Sequence, residues 1–121
     1  MNIFNKLGKS YILKEDFTHD CLPFHKSDKC KYFVIAKNIR NKNILIFWKN
    51  KIRVPRGHTD WMSDCYENQS YKDYYIYDKD KLPSFIKKAI DKNNKIGTSW
   101  WMPEEKFNKY FKSDLLTNIY W

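Results

Sequence analysis

Two short segments of the chain are apolar at consecutive positions, and they constrain its fold more than any other feature. Residues 32–36 and 44–48 are wholly apolar and rich in β-branched and aromatic side chains, which favour strands. A strand with one solvent-exposed face would alternate apolar and polar residues, and these segments do not. We therefore predict two strands, 31–38 and 44–49, joined by the polar loop 40–43 and covered on both faces of their sheet.

Helical periodicity is confined to the C-terminal half of the chain. Between positions 82 and 90, apolar residues recur three and four positions apart, which predicts a helix. A second helix is predicted from Pro103, because proline fits the first turn and the dipole favours Glu104 and Glu105 there. We expect these helices to pack against the sheet through the following side chains: Phe85, Ile86, Ile90, Phe107 and Phe111.

Other segments give weaker patterns. Residues 52–54 alternate and predict a third strand of a β-meander, and the tyrosine-rich residues 71–77 predict a fourth. Residues 5–17 have no clean period and are compatible with a short helix or an irregular edge strand, while residues 18–30 are typical of turns. Strands followed by helices indicate an α+β domain, a mainly antiparallel sheet (β-meander) with two C-terminal helices packed on it.

Length and composition limit the class of protein. At 121 residues the chain can build one core, so we expect residues 1–121 to form a single compact domain. The longest apolar runs are too short to cross a bilayer, so no membrane association is expected. The three cysteines lack the spacing of a disulfide framework, which favours a cytoplasmic location.

Positive charge is concentrated in one segment. The chain has a net charge of +9, and residues 29–59 contain no acidic residue. An AT-rich genome would raise the lysine content everywhere but would not remove acids from one segment. The basic residues of this segment are Lys29, Lys31, Lys37, Arg40, Lys42, Lys49, Lys51, Arg53 and Arg56. We expect the segment to dock an acidic partner, either RNA or an acidic protein.

The expected contact surface is a row of basic residues, Lys49, Lys51 and Arg53, on one face of the predicted strand that includes residues 52–54. Same-face side chains on a strand are about 6.6 Å apart, close to the spacing of phosphates along an extended nucleic acid. The alternative explanation for these basic residues is that charged side chains on an edge strand prevent aggregation. The predicted binding residues, with two tryptophans to stack on bases, are Lys31, Trp48, Lys49, Lys51, Arg53, Arg56 and Trp61.

One loop concentrates residue types used in catalysis. A metal-independent ribonuclease of the toxin type needs a general base, a general acid and cations on the phosphate. His58 is the candidate base, Arg53 and Arg56 are the candidate cations, and Ser99 is a candidate hydroxyl. Because no second titratable group has a convincing spacing, we expect binding without turnover. The protein-binding alternative is a stoichiometric factor, such as an immunity protein, an antitoxin or a phage-encoded inhibitor.

Four residues in the N-terminal part are of the zinc-ligand type: His19, Cys21, His25 and Cys30. Structural zinc sites favour paired cysteines two to four residues apart and paired histidines three to five apart. Here the ligand types alternate and neither spacing occurs. We therefore expect no metal, and no motif indicates any other cofactor.

Overall fold

A computed structural model describes residues 6–20, 22–49, 65–66, 73–90 and 97–115. The strands in these ranges are β1 (Ser10–Leu13), β2 (Phe17–His19), β3 (Leu22–Phe24), β4 (Tyr32–Asn38), β5 (Asn43–Lys49), β6 (Tyr74–Ile76), β7 (Gly97–Pro103) and β8 (Phe111–Ser113). The helices are α1 (Ser84–Ile90) and α2 (Glu104–Tyr110), and short 3-10 turns span Lys26–Asp28 and Lys79–Lys81. None of the helices described has the length and apolar character needed to span a membrane.

Six of these strands form one antiparallel sheet. Its order is β7-β5-β4-β1-β8, and β6 pairs with the end of β4 that β1 leaves uncovered. β2 and β3 form a separate hairpin. The predicted α+β class, with a mainly antiparallel sheet and two helices packed on it, is confirmed. Among the described strands of the large sheet, only β4 and β5 are both consecutive in sequence and paired.

Both faces of the central strands are covered, as their apolar pattern predicts. On one side, the α1 face, Phe33, Ile35, Leu45 and Phe47 pack with Leu82 and Ile86. On the other side, the α2 face, the side chains of β4 and β5 pack with Phe24 of the hairpin and with Phe107 and Phe111. The two helices therefore lie on opposite sides of the sheet, and strand β7 lies between them in the chain.

A bulge in β4 decides which way one charged residue points. Val34 is opposite Ile46, but Ala36 is opposite Leu45, so Ile35 is an extra residue in the ladder. Ile35 and Ala36 consequently both contribute to the α1 face, and the alternation continues with the opposite phase. Lys37, opposite Ile44, is thereby directed to the α2 face, where α2 begins.

The structure corrects some of the local predictions. Phe85 was expected in the core, but it is 40% exposed, and its ring meets the ring of Phe33 edge to face at a centroid distance of 5.5 Å. Leu82, just before α1, and Ile86 within it are the buried side chains that pack on the α1 face. The segment predicted as turns forms the β2–β3 hairpin, and β1 lies within residues 5–17. The predicted strand 52–54 and the side chain of Ile90 lie outside the described residues.

Candidate binding site

Much of the positive charge of β4 and its turns is neutralised by acids that are distant in sequence. Lys31 Nζ lies 3.3 Å from Asp114 Oδ2, and Arg40 Nη2 lies 3.0 Å from Asp73 Oδ2. Lys37 Nζ lies 3.0 Å from Glu104 Oε1. The acid-free segment of the sequence is therefore not an unbroken positive surface in the fold, since residues 73–114 bring carboxylates to it.

The Lys37–Glu104 pair is structural. The Lys37 side chain is only 6% exposed, and Lys6 Nζ is a second cation 3.5 Å from Glu104 Oε2. Burial by itself would raise the pKa of Glu104, but the hydrogen bond from Lys37 and the charges of both lysines lower it below its usual value. Lys37 is consequently committed to the core and cannot reach a ligand.

Trp48 is a correction to the predicted contact surface. Its side chain is 6% exposed and packs on the α2 face, with ring centroids 5.2 Å from Phe24 and 5.6 Å from Tyr32. A base cannot stack on a ring that is covered by other rings. The strand pattern explains the error, because both faces of β5 are buried and its aromatic residues serve the core.

Of the other predicted binding residues, the structure describes the side chain of Lys31 alone. Lys31 is exposed but paired with Asp114, as described above. Lys49 ends β5, where its backbone is opposite Gly97, and its side chain is outside the described part. The following predicted residues lie wholly outside the described residues: Lys51, Arg53, Arg56 and Trp61.

Of the catalytic candidates, Ser99 is the one that lies within the part of the chain that the structure describes. Ser99 is fully buried in β7, opposite Phe47, so its hydroxyl cannot reach a substrate, and we correct its assignment as a candidate catalytic hydroxyl. His58, with Arg53 and Arg56, lies outside the described residues.

The zinc-type residues have separate partners. His25 Nδ1 is 3.7 Å from Asp16 Oδ2, and Cys30 Sγ lies 3.8 Å from the carbonyl of Asp28. Cys21 is not among the described residues. Within the described ranges, no group of three or more His, Cys, Asp or Glu residues is placed to hold a metal ion.

His19 belongs to a short polar chain on the hairpin. Its Nδ1 lies 3.2 Å from Lys106 Nζ, and its Nε2 lies 3.4 Å from Asp20 Oδ2. A lysine ammonium only donates hydrogen bonds, so Nδ1 accepts and the ring proton on Nε2 faces Asp20. The Asp20 carboxylate thus lies beside His19, and Asp20 has the left-handed φ of 49° at the tip of the hairpin.

A cleft of about 340 Å³ lies where the β4–β5 turn, β6 and the β7 edge meet. Its lining residues share aromatic or amide side chains and are Asn38, Asn41, Asn43, Tyr74, Trp100 and Trp101, with the carboxylate-bearing Asp20 as a further member. Successive residues of β7 point to opposite sides: Trp101 packs against the α1 face and Trp100 against the α2 face. Both tryptophans are half-buried, so part of each remains accessible.

Sequence reasoning missed most of this cleft. The adjacent tryptophans were a visible signal of an aromatic contact patch, whereas the asparagines appeared only as loop residues. The register of strand pairing brings the asparagines and the tryptophans together. Leu45 lies opposite Trp101, and Asn38 lies opposite Tyr74. Strand pairing across residues far apart in the chain therefore assembles the site.

Comparisons with protein-family models, with curated proteins and with solved structures find no match to this chain.

Proposed function

We propose that this chain is a small basic binding protein that docks RNA through the β4–β5 turn and the basic segment that follows β5. The supporting observation is the charge that the fold leaves available. Of the five basic side chains described between residues 29 and 42, three form the ion pairs above. Lys29 and Lys42 are exposed and form no ion pair with a described residue. Lys49, Lys51, Arg53 and Arg56 add positive charge at the end of β5 and in the sequence that follows it.

Arg40 supports the same proposal despite its ion pair. The Arg40 side chain is 79% exposed and Asp73 is 52% exposed, so water screens their attraction. Exposed pairs of this kind contribute at most about 1 kcal/mol. A phosphate that offers bidentate hydrogen bonds can therefore compete for the guanidinium.

We propose binding without turnover, in the cytoplasm. Burial of Ser99 removes one of the few catalytic candidates, and the remaining ones rest on the sequence alone. An odd number of cysteines without disulfide spacing supports a reducing compartment.

Salt dependence tests the proposal. The affinity for a single-stranded RNA should fall with rising salt, with a log–log slope of about −0.7 for each phosphate contacted. Fluorescence anisotropy of a labelled oligonucleotide at several salt concentrations measures this slope. No binding at low salt would refute the proposal, and copurification of one stoichiometric acidic protein would then favour the protein-binding alternative.

A matched pair of variants locates the surface. Lys49→Glu, Lys51→Glu and Arg53→Glu combined should abolish RNA binding if these residues contact phosphates. Changing three exposed lysines elsewhere, Lys79, Lys81 and Lys88, to Glu should have a much smaller effect. Both variants lower the net charge from +9 to +3, so equal losses would mean that only overall charge matters.

A further inference from the structure

We infer that the cleft beside the β4–β5 turn binds one unpaired nucleobase of the RNA, so that stacking occurs there and not on Trp48. This inference rests on the proposed function and adds to it the chemical group that the cleft recognises. It depends on the size of the cleft, its aromatic walls, the hydrogen-bonding state of its asparagines and the position of Asp20.

The size and the walls fit a flat aromatic group. Small-molecule sites usually have volumes of about 300–1,000 Å³, and the cleft, at about 340 Å³, is at the lower end. The ring of Trp101 rests on Tyr74 with centroids 5.3 Å apart and an angle of 35° between the planes. This contact and the packing on the α1 face orient the indole, so less rotational entropy is lost when a base stacks on its accessible part.

The asparagines of the turn use their side-chain oxygens within the turn, which leaves their NH₂ groups as donors for a ligand. Asn38 Oδ1 accepts from the backbone N–H groups of Arg40 (2.8 Å) and Asn41 (3.3 Å). Asn41 Oδ1 accepts from the backbone N–H of Asn43 at 2.8 Å. The side-chain NH₂ groups of Asn38 and Asn41 form no hydrogen bond with a described residue. These NH₂ groups therefore suit a ligand with acceptors, such as the ring nitrogens and carbonyl oxygens of a base.

Asp20 requires a hydrogen-bond donor on the ligand, and its negative charge keeps the phosphate away from the base site. A carboxylate accepts hydrogen bonds from amino and imino groups but repels a phosphate. The phosphate is then expected at the rim, near the exposed Arg40 and Lys42. A nucleobase combines a flat aromatic face with hydrogen-bond donors and acceptors on its Watson–Crick edge. That edge is available only when the base is unpaired.

A sugar ring would also stack on tryptophan and bind amides. The net charge of +9 and the basic turn beside the cleft favour the anionic ligand over a neutral sugar. We therefore assign the cleft to a nucleobase, and a neutral oligosaccharide becomes one of the probes in the test.

The test compares two oligonucleotides of equal length at low salt, one of normal single-stranded RNA and one that is abasic. Both carry the same phosphates, so only base contacts distinguish them. The normal RNA should bind about tenfold more tightly or better, as expected for one stacked base. The Trp101→Leu variant should lose most of this preference while its affinity for the abasic strand stays the same.

A second variant covers the possibility that Trp101→Leu does not fold. Asn41→Asp retains the oxygen that accepts from the Asn43 N–H, so the turn is kept, but it replaces the NH₂ donor with a negative oxygen. The preference for normal over abasic RNA should fall in Asn41→Asp. It should be unchanged in Asn108→Asp, which makes the same charge change at an exposed position of α2.

The outcomes are distinguishable. Equal affinity for normal and abasic strands would overturn the nucleobase assignment and leave the proposed function standing. Failure of both strands to bind at low salt would overturn both. Salt-insensitive binding of a neutral oligosaccharide, lost in Trp101→Leu, would identify a sugar site and overturn the nucleobase assignment.

Discussion

Replacing Glu104 with Gln tests the buried ion pair that joins β4 to α2. The substitution keeps the size of the side chain and one acceptor oxygen but removes the charge opposite Lys37. Because the Lys37 side chain is 6% exposed, its ammonium would then be buried with no carboxylate beside it.

The expected loss of stability is large. Removing one partner of a buried ion pair typically costs about 3–5 kcal/mol. The Glu104 side chain is 21% exposed and the Gln oxygen can still accept from Lys37, so we expect a loss near the lower limit, at about 3 kcal/mol. That is a substantial part of the roughly 5–15 kcal/mol that stabilises a typical domain.

Urea unfolding at neutral pH, followed by circular dichroism, measures the effect. Glu105→Gln is the matched control, because Glu105 is exposed in the same first turn and should cost only about 0.3–1 kcal/mol through the helix dipole. Adding Lys37→Met to Glu104→Gln should restore much of the stability, since the unpaired buried charge is removed.

The same pair predicts a pH dependence. The pKa of Glu104 in the folded protein is below its usual value of 4.5, so the unfolded chain binds the proton more readily. The contribution of Glu104 is therefore present above that usual value and is lost as the pH falls through the lower, folded-state pKa. The stability difference between the unmodified protein and Glu104→Gln should narrow over this acidic range.

Two results would contradict this reasoning. One is a Glu104→Gln loss no larger than that of Glu105→Gln, and the other is a stability difference that does not change with pH. Either would mean that the buried lysine is stabilised by other groups.

Further predictions concern the core, a turn and the chemistry. Phe107→Ala and Phe111→Ala should each cost about 3–5 kcal/mol in urea unfolding, and Phe85→Ala clearly less, because Phe85 is 40% exposed; equal losses would contradict the packing on the α2 face. Gly8→Ala should lower the melting temperature, since Gly8 has a φ of 72° and an added Cβ would collide with the Tyr77 ring; an unchanged melting temperature would refute this. Total RNA incubated with the protein in chelator should stay intact, and cleavage lost in His58→Ala would show that the protein is a nuclease. Metal analysis of protein purified without chelator should find well under one zinc per chain.

The sequence by itself determined the elements with strong local patterns. Consecutive apolar residues in β4 and β5 require burial on both faces, and the structure shows it. The periodicity near Ile86 and the acidic residues after Pro103 located both helices, because these signals act within a few residues of chain. The opposite orientation of Trp100 and Trp101 follows from the two-residue repeat of any strand.

Tertiary structure decided the charge pattern and the candidate site. Pairing with Asp73, Glu104 and Asp114 neutralises cations that looked unopposed in the sequence, since contacts between residues far apart in the chain have no local signature. The bulge at Ile35 directs Lys37 to the α2 face and Glu104, whereas strict alternation would direct it to the α1 face. The same long-range pairing buries Trp48 and Ser99 and brings asparagines of one turn beside the tryptophans of β7, because strand register is set by the whole sheet.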